Sequence, residues 1–120
     1  ATTGMIRDLT AKPDAMLAAL QHGFPTATDL ADYMVRELSM PFREAHHASG
    51  AIVAAAAAKG VDIEALSLAE LQAIEPRIKP DIIGQLSVAN AVATRTSFGG
   101  TAPDEVRARI ADAKQRFGLA

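Results

Sequence analysis

The sequence has no cysteine, no tryptophan and one tyrosine. Without cysteine there is neither a disulfide framework nor a thiolate metal site. That composition fits a reducing compartment, so a cytoplasmic location is expected. Large aromatics are scarce and alanine fills much of the apolar fraction, so each buried side chain removes little area from water. At about 25 cal/mol per Å² the resulting core is thin, and a thin core leans on something larger. Strong charge of one sign is missing as well. The formal net charge is −2, with acids and bases interspersed, which argues against a nucleic-acid surface. The longest apolar run, Ala51 to Ala58, is shorter than the roughly 18 residues of a membrane span. No signal-peptide pattern opens the chain. No alternating β-branched run marks a strand, and no paired carboxylates, nucleophile–base spacing or phosphate loop is legible.

What is present is helical. A length of 120 residues is one domain by size, and the fold class expected is all-α. Met5 to Leu9 reads as the tail of a helix. Pro13 suits the first turn of the next, because its missing N–H costs nothing there; that helix runs to about Gln21, with His22 at its end and Gly23 as its stop. Phe24 and Pro25 turn the chain. Thr26 or Thr28 caps a helix over 27–38, whose inner face carries Leu30, Met34, Val35 and Leu38. Ser39 is the expected cap of the longest helix, 41–59, ending at Gly60. Its inner stripe is Phe42, Ala45, Ser49, Ile52, Val53 and Ala56. Gly50 inside a helix costs about 1 kcal/mol against Ala, so close packing of a neighbour is expected there. Ser67 and Glu70 form a capping box for a short helix over 68–74. Pro76 and Pro80 break the chain, a turn spans 81–85, and Ser87 caps a helix over 88–95. Gly99-Gly100 reads as a hinge-like loop. Thr101 is the expected cap of the last helix, with Pro103 in its first turn, Asp104 and Glu105 at its positive end, and a stripe of Val106, Ile110, Ala113 and Phe117.

The candidate constellations are few. His46 and His47 are adjacent, so on a helix they point about 100° apart and cannot share a metal. Glu44 and His47 have the Glu-x-x-His spacing of di-iron bundles, but no second pair accompanies them. The plainer expectation is that one imidazole hydrogen-bonds to a helix neighbour while the other is partly solvated. Gly99-Gly100-Thr101 before a helix is a weak anion-binding corner, and a sharp turn is the preferred reading. Arg95 could bind a carboxylate or cap the preceding helix; the cap is preferred. Arg107, Arg109, Lys114 and Arg116 would serve a helix-turn-helix DNA binder, but acids share their helix and a solvated face explains them. An independent all-helical interaction module remains the alternative from a different class. No catalytic, cofactor-binding or metal residue is assigned.

Four ordered blocks carry a resemblance. They are Ala27 to Val35, Pro41 to Gly50 (with Phe42-Arg43-Glu44-Ala45-His46-His47), Leu66 to Gln72, and Ser87-Val88 leading to Arg95 through Pro103. Together they make the chain resemble the C-terminal part of argininosuccinate lyase, in the fumarase/aspartase superfamily. The Phe42-to-Gly50 block favours this family over a related lyase acting on adenylosuccinate. Relatives with a lens structural role share the same terminal domain. The resemblance implies an enzyme that cleaves argininosuccinate reversibly to arginine and fumarate, in arginine biosynthesis. It implies no metal or organic cofactor, and a homotetramer whose central domains form a shared helical bundle. Residues 1–23 would be the trailing end of that central domain and 24–120 the C-terminal helical domain. The opening Ala1-Thr2-Thr3-Gly4-Met5, without an initiator Met, fits a segment of a longer protein, although processing or a tag would look the same. The superfamily's serine-bearing Gly-Ser-Ser-x-Met-Pro type loop and its upstream histidine region have no counterpart here. The segment is therefore expected to be inactive alone. Arg43, His46, His47 and Gly99-Gly100 are the positions expected near an active-site mouth.

Overall fold

The computed structural model describes residues 1–20 and 23–119. Every regular element among them is helical, as expected: α1 Thr2–Arg7, α2 Pro13–Leu20, α3 Ala27–Glu37, α4 Phe42–Lys59, α5 Leu68–Ile74, α6 Val88–Ala93 and α7 Pro103–Phe117. Short 3-10 turns occupy Ile63–Ala65 and Pro80–Gly84. The expected helix end at Gln21, and His22, lie outside the described residues.

The core is built on α3 against α4. Leu30 and Met34 are buried at i, i+4, and Ala31 and Tyr33 join them, so the inner face of α3 is wider than its apolar pattern. On α4 the buried set is Ala45, Ser49, Ile52 and Ala56, steps of four, three and four that keep one stripe inward. Alanine and serine there let the helices approach, and Ser49 Oγ donates 2.7 Å to the Ala27 carbonyl, tying mid-α4 to the start of α3. Ile63, Leu66, Leu71, Ile78, Ile82 and Leu86 complete the cluster from the second half of the chain. Phe42 departs from its expected inward place and is 64% exposed, one turn ahead of buried Ala45 on a part of α4 that α3 leaves uncovered. Gly50 departs too. It is exposed, and a Cβ there would meet nothing within 4 Å, because one residue past Ser49 the helix has turned about 100° outward.

Helix ends follow local chemistry where nothing tertiary competes. Gly60, at φ +69, ends α4: its N–H reaches the Ala57 carbonyl and the Val61 N–H reaches Ala56, the closure that favours glycine. The Ser67–Glu70 capping box forms as expected, and Glu70 also pairs with Lys59 to join α4 to α5. Ser87 accepts from the Asn90 N–H. At three other helix starts the expected side-chain cap bond does not form. Thr26 stands at the N-cap of α3 without a side-chain bond, while Thr28 lies inside the helix. Ser39 does not start α4; at φ +52 it follows the end of α3, where the Leu38 and Met40 N–H groups both donate to the Met34 carbonyl. Burial of Met40 sets how the chain enters α4, and Pro41 takes the cap position. Ala102 rather than Thr101 precedes α7, because the Ala102 N–H is drawn 3.1 Å to the Arg95 carbonyl.

α1, α2 and α7 bury no residue. α1 ends at Arg7, with Leu9 in a turn beyond it. The α7 stripe forms on one helix face, but Val106, Ile110 and Phe117 stand 42%, 52% and 65% exposed.

Candidate functional site

A groove of about 260 Å³ lies between the start of α3 and the outer side of α4. Ala27, Ala31 and Gly50 give it a shallow, mostly apolar floor, and Phe42, His46 and Asp32 stand around it. The Phe42 and His46 rings are tilted against each other, centroids 6.0 Å apart, one helical turn from each other. Both histidines are exposed. Among the described residues neither imidazole has a hydrogen-bond partner, so the expected helix-neighbour bond does not form. Glu44 lies 4.0 Å from the Arg77 guanidinium. No group of three or more potential metal ligands exists among the described residues.

The buried polar contacts hold the fold. Tyr33 donates 2.8 Å to Asp81 Oδ1, linking α3 to the Pro80–Gly84 turn. Burial pushes its phenol up to about 12, with the Asp81 hydrogen bond and charge adding to the shift. A phenol held that high is no general base near neutral pH. Arg77 grips Glu75 with two bonds, Nε at 2.7 Å and a terminal nitrogen at 3.1 Å. That guanidinium holds the Glu75 carboxyl below the usual carboxylate range, against the opposing effect of burial. The pair closes the turn at Pro76, where Gln72 also donates 2.8 Å to the Ile78 carbonyl.

The loop before α7 is a turn. Gly99 sits at φ +78, and a Cβ on Gly100 would lie 2.1 Å from the Arg95 carbonyl oxygen. Two of its N–H groups are turned inward, Gly100 to the Ser97 carbonyl and Ala102 to the Arg95 carbonyl, so neither is offered to an anion. Arg95 corrects the expectation of a helix cap. Its guanidinium donates 2.6 Å to Asp29 Oδ1 on α3, because α6 stops at Ala93 and the side chain reaches across instead. The pair spans 66 residues, and neither member signals the other in sequence. Asp29 and Asp81 were invisible as partners for that reason.

These groups can orient helices and present a surface, but they bring no nucleophile to a base, and the two carboxylates that approach each other, Glu44 and Glu75, do so across the Arg77 guanidinium. Their place among known proteins follows from sequence. The family profile "Argininosuccinate lyase C-terminal" matches residues 24–93, the turn before α3 through α6. The chain belongs to the argininosuccinate lyase C-terminal family. A curated argininosuccinate lyase from Hyphomonas neptunium is 55% identical over 117 residues, which is 98% of this chain and 25% of that protein. The chain thus spans about a quarter of the length of the curated relative it matches. The lyase-family match holds the packed core, the histidine pair and the α3–α4 groove, whereas α1, α2 and α7 lie outside residues 24–93.

Proposed function

We propose that this chain is the non-catalytic C-terminal part of an argininosuccinate lyase, a carbon–nitrogen lyase that releases arginine and fumarate. The observation that carries this is the 55% identity over 98% of the chain to a protein of that name. The chemistry removes a proton from the carbon next to a carboxylate and expels a guanidinium nitrogen. It needs a positioned base and donors preorganised for the developing negative charge. The pairs found here, Tyr33–Asp81, Glu75–Arg77 and Arg95–Asp29, are each engaged in holding a turn or distant segments together, so the base belongs elsewhere in the longer polypeptide. Residues 1–23 would continue a central helical domain and 24–120 would form the terminal one. The working assembly would be a cytoplasmic homotetramer whose only ligand is the substrate.

In that assembly the terminal domain shields the mouth of the active site and moves against it. Arg43, His46 and His47 on exposed α4, with the Gly99-Gly100 turn, are the contacts proposed for that role. The purified 120-residue chain should release no fumarate from argininosuccinate, followed by ultraviolet absorbance. The full-length Hyphomonas lyase, with its own matching quarter replaced by this chain, should release it. Turnover by the chain alone, or a dead chimera that is folded and assembled, would overturn the reading. Alanine at His46 and His47 in an active chimera should lower kcat/KM; unchanged kcat/KM and stability would remove the gating role.

A further inference from the structure

The apolar seam of α7 is narrow, and cations predominate along both its borders. Val106, Ile110, Ala113 and Phe117 recur at steps of four, three and four, the spacing of a helix that packs along a single partner helix. At about 100° per residue, Arg107 and Lys114 fall along one border of that seam and Arg109 and Arg116 along the other. Glu105, half-buried, lies just beyond Arg116 on the second border, while Asp104 and Asp112 sit farther round, away from the seam. The Arg107–Asp104 and Arg109–Asp112 pairs are exposed, at 2.6 and 2.7 Å, and such pairs hold little energy. Arg109 also lies over the Phe98 ring at 4.8 Å, and Phe98 is itself 86% exposed.

Border charges of this kind choose partners. Two copies of α7 would bring cation against cation along both borders, which disfavours self-pairing. A bilayer surface is a poor match as well, since a seam this narrow, with Ala113 in it, offers little apolar area to insert. Resting on the function proposed above, we infer that α7 packs along a helix of the longer lyase polypeptide whose own apolar seam is bordered by Asp and Glu. The match is one of charge complementarity: an acidic border meets Arg107, Arg109, Lys114 and Arg116 while Val106, Ile110 and Phe117 are covered. The chain accounts for a quarter of its relative's length, so the larger share of such a polypeptide is available to supply that helix.

The test uses the full-length chimera described above. Its fumarate release decides the functional reading first, and the α7 variants then decide this one. Arg107→Glu/Lys114→Glu/Arg116→Glu should lower the chimera's thermal midpoint by roughly 5 °C or more. Neutralisation of the same residues to Gln should lower it less, and added salt should shrink the difference. Introduced into the 120-residue chain alone, either triple variant should leave the midpoint unchanged, because α7 buries nothing there. An active chimera in which reversal is no worse than neutralisation, or in which reversal costs the isolated chain as much, would overturn the acidic-partner inference and leave the lyase reading standing. Dimerisation of the isolated chain through α7, seen by sedimentation and abolished by Ile110→Ser, would also overturn it.

Discussion

Two regions of this molecule are made of similar helices and behave oppositely. From the turn before α3 to Leu86 a set of apolar side chains is fully buried: Leu30, Met34, Ile52, Ile63, Leu71 and Ile82 are all at 0% exposure. In α1, α2 and α7 comparable stripes stand in solvent, with Met5 at 73% and Met16 at 62% exposed. Sequence pattern does not separate the two. Both carry apolar residues at helical spacing, and α2 is the more apolar by composition. What separates them is whether the chain returns to cover the face. α4 packs over α3, and the turn after Gly60 and α5 pack on α4; among the described residues nothing covers the apolar stripe of α7 to the point of burial. A helical period therefore tells which face seeks cover, and only the chain path tells whether the same polypeptide supplies it.

The comparison can be broken most directly by cavity mutations. Leu30→Ala or Ile52→Ala should cost about 2–5 kcal/mol in urea unfolding of the chain, whereas Met16→Ala or Ile110→Ala should stay within about 0.5 kcal/mol. Equal losses would mean the outer helices are packed after all. Next in size is Gly100→Ala, where the new methyl meets the Arg95 carbonyl oxygen. A backbone shift there should cost about 1–3 kcal/mol and loosen α7, measured as faster amide exchange beyond Ala102. Tyr33→Phe should cost about 1 kcal/mol by leaving Asp81 without its donor. The same change should flatten the alkaline limb of stability. The folded phenol pKa is raised to about 12, so its contribution is complete below the ordinary value near 10 and is lost as pH climbs toward 12.

Glu75 gives the opposite sign. Its folded pKa is lowered, chiefly by the Arg77 hydrogen bond, so its contribution is present above the ordinary carboxylate value and disappears as pH falls through the folded one. Glu75→Gln should therefore reduce the acid sensitivity of unfolding. The smallest expected effect sharpens the comparison from the other side: Gly50→Ala, on an exposed helix face with open space for the methyl, should stabilise the chain by about 0.5–1 kcal/mol. A loss there would mean that the outer face of α4 is packed more closely than it stands here.

Local signals were legible where local physics decides. Ser67 with Glu70, Ser87 and Gly60 each end a helix through bonds made within a few residues, and all were readable from spacing. Ser39 and Thr101 were misread because burial of Met40 and the bond from Ala102 to Arg95 outweigh a hydroxyl cap worth about 1 kcal/mol. Phe42 was misplaced because periodicity places a residue on a face without giving the length of the helix that covers it. Arg95 was misread because its partner Asp29 is 66 residues away.

The sequence by itself determined that the protein is helical, where several of its helices start and stop, and which family it resembles. Those properties come from backbone propensity, capping and ordered blocks of residues, all short-range in the chain. Tertiary structure alone decided which apolar faces are covered, that Phe42 and Gly50 look outward, and that Arg95 and Tyr33 hold distant segments through Asp29 and Asp81. Burial and ion pairing depend on distances between remote parts of the chain, and a linear pattern contains no such distance.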